Sequence, residues 1–197
     1  MTERPVESLR WPAEPPAWGQ VRLRPFAERD VAMVMDLATD PYIPLIGSLP
    51  TRATSGQALA YIGRQRGRLA EAAGFSFCVV RDEDDVAVGG VGLWLGDLGA
   101  GRGSAGWAVA PRFRGHGFAT QALRAMLTFA WTLPELHRVE ARIEPWNLAS
   151  ARVARHAGMA YEGTMTSYQT VGDRRADMQL YAVTRPADDP TTPRATP

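Results

Sequence analysis

Between residues 21 and 185 the apolar positions change period repeatedly, and each change marks an element. "VRLRPF" at 21–26 alternates and predicts a first strand. Val31, Val34, Met35 and Ala38 fall at helical spacing within Glu28–Ala38. Two prolines break "DPYIPLIG" at 40–47. Residues 54–72 predict a second helix, with Leu59, Ile62 and Leu69 apolar and Arg64, Arg66 and Arg68 mostly outward. "FSFCVVR" (75–81) and "VAVGGVGLWL" (86–95) predict two strands joined at Asp82–Asp85, an acidic run that reads as a solvated hairpin turn. "SAGWAVA" (104–110) is a fourth strand. From Phe118 to Thr132, Phe118, Ala122, Met126 and Ala130 recur every four residues, flanked by Leu123 and Leu127, which predicts a strongly amphipathic helix. "HRVEARIE" (137–144) alternates as a half-buried fifth strand. Asn147–His156 is a helix stopped by Gly158, and "QLYAVTR" (179–185) is a closing strand. Strands in succession followed by β-α-β-α-β define an α+β class with a mixed sheet.

Proline and composition set the limits of the domain. Eight of the 15 prolines lie in residues 1–20 and 186–197. The reading is therefore an N-terminal arm (1–20), a domain (21–185) and a tail (186–197) with almost nothing to bury, expected to be disordered. Trp11 and Trp18 give the arm a reason to wrap onto the domain. The 22 basic and 21 acidic residues leave a net charge of +1, without the basic excess of a nucleic-acid binder. Every basic residue is Arg, and the absence of Lys excludes a self-contained Schiff-base enzyme and a standard P-loop. Cys78 is the single cysteine, so no intrachain disulfide forms, and its place in "FSFCVV" predicts a buried, inert thiol. His116, His137 and His156 fit no zinc pattern, so no metal is expected. No apolar stretch approaches the ~20 residues of a membrane span. The first twenty residues lack the apolar core of a signal peptide, which predicts a cytoplasmic protein without a membrane partner.

The chemistry concentrates in "GWAVAPRFRGHGFATQALRAMLTFA", residues 106–130. A strand ends at Pro111, where ladder pairing must stop. A loop with Arg112, Arg114, Gly115 and Gly117 follows, and then the long helix begins. The glycines permit positive φ and close approach to the backbone. Unpaired N–H groups of the first helical turn point into the loop, with the positive end of the helix dipole behind them. This is an anion cradle suited to a diphosphate and built without lysine. A glycine-rich turn that binds nothing would have the same spacing.

Arg112-x-x-Gly115-x-Gly117, placed after a strand and opening a helix, resembles the coenzyme A pyrophosphate loop of the GNAT superfamily of N-acyltransferases. "LHRVEARIEPWNLASARVARHAGMAYEG" resembles the branch holding the ribosomal-protein N-terminal alanine and serine acetyltransferases. The resemblance runs from about Val21 to about Tyr181. It implies a mostly antiparallel central sheet with helices on both faces and a V-shaped splay between the fourth and fifth strands. It implies acetyl-CoA, or another acyl-CoA, as co-substrate, with pantetheine entering the splay beside Trp107, Ala108 and Val109 like an added strand. A backbone N–H near Val109 would polarise the thioester carbonyl. The N–H groups of Arg114, Gly115, His116, Gly117, Phe118 and Ala119, with the side chains of Arg112, Arg114 and Thr120, would hold the phosphates. Asn147 would bond the pantetheine arm or a water beside it.

The implied reaction is direct attack of a primary amine on the thioester through a tetrahedral intermediate. Many members carry a Tyr seven residues after this Asn as the acid; here that position is Ala154. The resembling branch assigns the role to a Ser three residues after the Asn, which is Ser150. Asn147 also reads as an N-cap, and Ser150 as a first-turn residue serving the backbone. Where the branch sometimes places a basic Glu, this chain has Gln169, leaving Glu140, Glu144, Glu162 and Asp173 as alternatives, each of which also reads as a surface carboxylate. Glu140 and Glu144 share one strand face by their even spacing. An α-amine, partly neutral at pH 7, needs less help than a lysine, which favours a protein N-terminus or a small-molecule amine as acceptor. Its contacts are expected from Tyr42–Gly47, the 54–72 helix and residues 164–175, with Tyr168 near the thioester. The protein would act as a monomer or homodimer. Two rival readings remain: a non-catalytic acyl-CoA-binding domain, and a dinucleotide-binding oxidoreductase suggested by "GHGFAT" at 115–120, where Thr120 replaces the third Gly.

Overall fold

The computed structural model describes residues 9–187. In chain order its elements are β1 (Ala17–Trp18), β2 (Val21–Pro25), α1 (Val31–Leu37), the single turn α2 (Ile43–Ile46) and α3 (Ser55–Gly67). β3 (Gly74–Arg81), β4 (Ala87–Trp94), β5 (Arg102–Val109), α4 (Phe118–Ala130), β6 (Arg138–Ile143), α5 (Leu148–His156), β7 (Ala160–Val171) and β8 (Arg174–Thr184) follow. The eight strands form one sheet in the order β1-β2-β3-β4-β5-β6-β8-β7. Every neighbouring pair is antiparallel except β5 with β6, which is parallel. This is the mixed, mostly antiparallel α+β sheet that the sequence predicts. Among its sequence-predicted strands, the fourth and fifth are β5 and β6.

Alternation along β3 assigns the two faces. Phe75, Phe77 and Val79 join Phe118, Leu123, Met126 and Phe129 of α4 in one core, which α5 extends through Ala151 and Ala154. Cys78 and Val80 join Met33, Val34 and Leu37 of α1 and Ala58 and Ile62 of α3 on the opposite face. Cys78 is fully buried there, and burial pushes its thiol well above the ordinary range. Phe129 meets Phe75 and Phe77 edge-on, with ring centroids 4.8 and 5.5 Å apart. Trp11 of the arm packs edge-on against the same two rings at 5.8 and 5.1 Å. The final residues of the expected tail, 188–197, lie outside the described residues.

Three differences from the sequence reading have local causes. The helix expected over 54–72 has regular α geometry only to Gly67. Its last turn closes through Ala73 N–H to Arg68 C=O and Ala72 N–H to Leu69 C=O, with Ala72 left-handed at φ 53°. That is the paired closure of a Schellman end, formed here without glycine. The expected solvated turn does join β3 to β4, but Asp85 in it receives Arg22, Arg24 and Arg29. Arg24 also grips the buried Asp30 in a fork of 2.8 and 2.7 Å, and Asp30 accepts the N–H of Ala27, which fixes the entry to α1. Finally, β7 and the first half of β8 form a long hairpin where no strand is expected. Most of β7 is exposed, and its register against β8 shifts between Tyr161 and Gly163 and between Met165 and Gln169, so no two-residue period survives.

Candidate functional site

β5 and β6 share only three registered pairs, Arg102–Ser104 against Arg138–Glu140. β5 keeps its other partner, β4, as far as Val109. Beyond Ser104 the two strands part, and the upper half of β5 has a free edge. The N–H of Ala110 bonds Val88 O at 2.9 Å on the β4 side. Ala108 O faces β4 as well, only 2.2 Å from where a Cβ on Gly89 would sit. Strand alternation then turns the N–H and C=O groups of Trp107 and Val109 toward the gap. Val109 O accepts the Nε–H of Arg114 there, at 3.1 Å.

The anion cradle lies at the top of this gap. A short turn at Pro111–Phe113 carries the chain off β5, and Gly115 and Gly117 adopt φ 84° and 76° before α4 begins. A Cβ on Gly115 would meet nothing within 4 Å, so the loop is open on that side. Among the described residues, the N–H groups of Gly115, His116, Gly117, Phe118, Ala119 and Thr120 have no hydrogen-bond acceptor. Six consecutive donors at the positive end of a thirteen-residue helix concentrate positive potential without one lysine.

Three cavities meet at the split. One of about 500 Å³ lies along the cradle and is lined by Trp107, Ala108, Val109, Gly117, Asn147 and Ser150 among others. A second of about 460 Å³ is lined from α3, β3, β4 and β5, including Tyr61, Gln65, Arg68 and Trp94. A third of about 90 Å³ sits between β5 and β6, against Ala105, Ile143, Asn147 and Ser150. Tyr42, Ile46 and Trp107 line all three, so a molecule in the first can face one in the second through the split sheet.

The structure separates the sequence-predicted residues into two groups. Trp107, Ala108, Val109, Arg114, Gly115, Gly117, Phe118, Ala119, Thr120, Asn147 and Ser150 line the cradle cavity. Arg112, His116 and Glu140 are not among the residues lining any of the three cavities. Arg112 reaches Asp36 at 3.3 Å and lies over the Phe113 ring. His116 stacks on Phe118, with Nδ1 2.9 Å from Arg114 O. Glu140 is held by Arg138 at 2.8 Å and Arg142 at 3.3 Å. Arg114 lines the cradle cavity, but its Nη2 binds Asp40 at 2.6 Å. Burial pushes the Asp40 carboxyl up, and Arg114 with the N–H groups of Ile43 and Tyr42 outweighs it, holding it below the carboxylate range.

Asn147 caps α5, its Oδ1 accepting the Ser150 N–H at 3.1 Å. The Ser150 hydroxyl has no hydrogen bond to another described residue. It lines both the cradle cavity and the gap, and Asn147 beside it does the same. Glu144 corrects the surface-carboxylate reading, for it is only 2% exposed. Burial raises its carboxyl, but Arg174 at 2.5 Å, the Tyr42 hydroxyl and the Trp146 indole pull it below the usual range. Burial and Glu144 push the Tyr42 hydroxyl up, so this tyrosine stays protonated and cannot act as a base near neutral pH. Tyr168, expected near the thioester, lies under the Arg142 guanidinium and lines none of the cavities. Trp94, Arg142 and Trp146 line the cavities without any expectation from sequence. The only sequence cue was a tryptophan closing an apolar strand, another in the loop after Pro145 and an arginine on an alternating strand, which packing on an ordinary surface would also produce.

A two-sided groove through a split sheet, with a main-chain anion cradle at its mouth, defines a domain built to bring an anionic carrier against a second molecule. Residues 20–160 match the family model described as "Acetyltransferase (GNAT) domain", and the chain belongs to that family. The uncharacterized N-acetyltransferase YnaD of Bacillus subtilis is 28% identical over 130 residues, 66% of this chain and 74% of that protein. The uncharacterized N-acetyltransferase p20 of Bacillus licheniformis is 26% identical over 107 residues, so the match spans 54% of this chain and 60% of that relative. Among solved structures, Mycobacterium smegmatis RimJ in complex with a CoA disulfide is similar with a TM-score of 0.72 and 28% identity, covering 87% of this chain and 84% of that one. The ribosomal L7/L12 α-N-protein acetyltransferase RimL with coenzyme A shares the fold with a TM-score of 0.73 at 18% identity, over 88% and 98% of the two chains.

Proposed function

We propose that the protein is an N-acyltransferase that moves an acetyl group from acetyl-CoA to a primary amine. The observation that carries this reading is the pair of cavities joined through the β5–β6 split, one beside an anion cradle and the other beside side chains suited to a second substrate. The fit to coenzyme A rests on this chain's own groups. The free N–H groups of residues 115–120 suit a diphosphate, and the open edge of β5 suits an extended amide chain such as pantetheine. Acetyl-CoA supplies the activated acyl carbon and a thiolate leaving group.

The protein's part is orientation and proton handling. The Val109 N–H faces the gap, where it can donate to a carbonyl oxygen that gains negative charge. The Ser150 hydroxyl, with no partner among the described residues, supplies a proton as the C–S bond breaks. A thiol with pKa near ~8.5 asks little of that acid. The amine nitrogen forms the new C–N bond, and the proton it loses is returned through water to Ser150, so the hydroxyl is restored at the end of the cycle. Asp40 is the only carboxylate among the residues lining the three cavities, and Arg114 occupies it. The acceptor therefore enters as a neutral amine, which favours an α-amine of a small molecule or a protein N-terminus over a lysine side chain. Calorimetry with coenzyme A, followed by thiol release from acetyl-CoA across amines and peptide N-termini, tests this. Binding with amine-dependent thiol release is expected. Binding without release against any amine would leave the acyl-CoA-binding domain, and no binding would remove both.

A further inference from the structure

We infer that the second cavity takes an amine that carries a carboxylate at the far end of a spacer, an ω-amino-acid-like acceptor whose anion is received by Arg68 just past the end of α3. The inference rests on the acyl-transfer reading above and adds the chemistry of the acceptor. None of the residues lining this cavity is Asp or Glu, while Arg68 and Arg142 both line it. A polycationic acceptor would find no counter-charge there. Arg142 is already engaged, with Nη2 3.3 Å from Glu140. Arg68 has no carboxylate partner among the described residues, and its guanidinium lies 5.8 Å from the centroid of the Trp94 ring.

The buried neighbours of Arg68 fix its position at the cavity. Gln65 is 3% exposed, and its Oε1 accepts both the Nε–H of Arg68 at 3.0 Å and the hydroxyl of Ser76 at 2.8 Å. Two donors on one oxygen fix which way the amide faces, because the flipped amide would set N–H against N–H. Its Nε2 is left buried without an acceptor among the described residues. Tyr61 lines the same cavity, and its hydroxyl has no hydrogen bond to another described residue. The remaining guanidinium N–H groups of Arg68 and the Tyr61 hydroxyl can donate to an anion in the cavity, and charge-assisted bonds of this kind are the strong ones.

Geometry sets the length of the molecule. The Trp94 ring lies against Gly106, within 2.9 Å of where a Cβ on that glycine would sit. Val109 is three residues further along β5, or about 10 Å at 3.3 Å per residue. A carboxylate beside Arg68 and an amine at the split are thus separated by a span that fits an ω-amino acid with an extended spacer, since the two groups of an α-amino acid share one carbon and sit too close together. Gln65 and Ser76 are buried beside the anion end, where they hold the Arg68 guanidinium in place through the Gln65 amide oxygen. The same positive surroundings disfavour the ammonium form of the acceptor, which offsets the lysine-like basicity of an ω-amine and helps supply the neutral nucleophile.

The test pairs acceptors with a variant in the full chain. Thiol release from acetyl-CoA is measured with ω-amino acids of increasing spacer length, with their amides, with peptide N-termini and with spermidine. R68Q is then compared with the native protein, while coenzyme A affinity is read separately by calorimetry. Turnover with one or more of the carboxylates is expected, with KM about 10- to 100-fold lower than for the matching amide. In R68Q that difference should vanish, with kcat and coenzyme A affinity retained. Equal KM for carboxylate and amide, or a preference for spermidine or for peptide N-termini, would overturn the inference while leaving acyl transfer standing. If no amine is turned over, calorimetry of these amino acids against the protein–coenzyme A complex decides, and absent heat overturns the inference. Loss of coenzyme A binding itself would be the separate failure of the transfer reading.

Discussion

On the acyl-transfer reading proposed above, the two sides of the split sheet would recognise their ligands by opposite means. The cradle side uses main-chain N–H groups at residues 115–120, presented by two glycines at positive φ and one helix end. The acceptor side uses side chains brought from α3, β3, β4 and β6, with Gln65, Ser76, Trp94 and Arg142 far apart in sequence. A backbone site is insensitive to most side-chain changes and sensitive to glycine. A side-chain site can be remade one residue at a time without disturbing the carrier. The fold can therefore keep one carrier while changing acceptors, because the two tasks draw on separate kinds of atoms.

The strongest way to break this contrast is Gly117→Asp. The φ of 76° is unfavourable for a residue with a Cβ, and a carboxylate there would face the anion it should attract. Coenzyme A affinity is expected to fall at least 100-fold by calorimetry, while the acceptor-side packing of Trp94 stays as it was. Undiminished affinity would mean that the free N–H groups are not the anion site. Ser150→Ala is expected next, with kcat lowered about 10- to 100-fold and coenzyme A affinity within twofold, because the Asn147 cap uses the Ser150 N–H and not its hydroxyl. Native turnover would remove Ser150 from proton transfer.

The same contrast explains what could be read before the structure. The cradle is contiguous, so Arg112-x-x-Gly115-x-Gly117 before a helix carried its signal in the sequence, and so did the helix and strand periods that frame it. Even there, side-chain roles were harder to see than backbone ones. Arg112 and His116 sit in the loop by spacing, yet Asp36 and Phe118 draw them out of the lining. Both acidic partners of the loop arginines, Asp36 and Asp40, come from the segment around α1 and α2, and no local pattern announces such pairings. Glu140 and Glu144 looked alike because strand spacing gives a face but not its neighbours. One is held between Arg138 and Arg142, the other is buried under Tyr42 with Arg174. The β7–β8 hairpin escaped because bulges and exposure erase the alternation on which strand prediction depends.

Gly106→Val sharpens the acceptor half. Its Cβ would lie 2.9 Å from the Trp94 ring, so the indole must swing into the second cavity. The acceptor KM is expected to rise roughly tenfold with coenzyme A affinity unchanged, a change on the scale of a few methylenes in an apolar pocket. Arg114→Ala is the milder counterpart on the carrier side. Its guanidinium is already spent on Asp40 and Val109 O, so affinity for coenzyme A should fall only a few fold, within the modest range of an exposed ion pair. A loss as large as that of Gly117→Asp would instead place the arginine at the centre of anion binding.

The smallest expected effect concerns pH, and it falls at the junction of the two sides. Tyr42 lines all three cavities and packs edge-on against Trp146 at 4.8 Å, and Glu144 lies beneath both. The Glu144 carboxyl is held below its usual value of 4.5, so the ionised form favours the folded state. That contribution is fully present above the unfolded value and disappears as pH falls through the lower folded one. Glu144→Gln should therefore lower the melting temperature at pH 7, and the gap from the native protein should narrow below about pH 4.5. Asp30 and Asp40 are also depressed, but they titrate in both proteins and drop out of the difference. A gap constant from pH 7 to pH 3 would show that Glu144 supports Tyr42 by shape alone, and that charge at the junction does not couple the carrier side to the acceptor side.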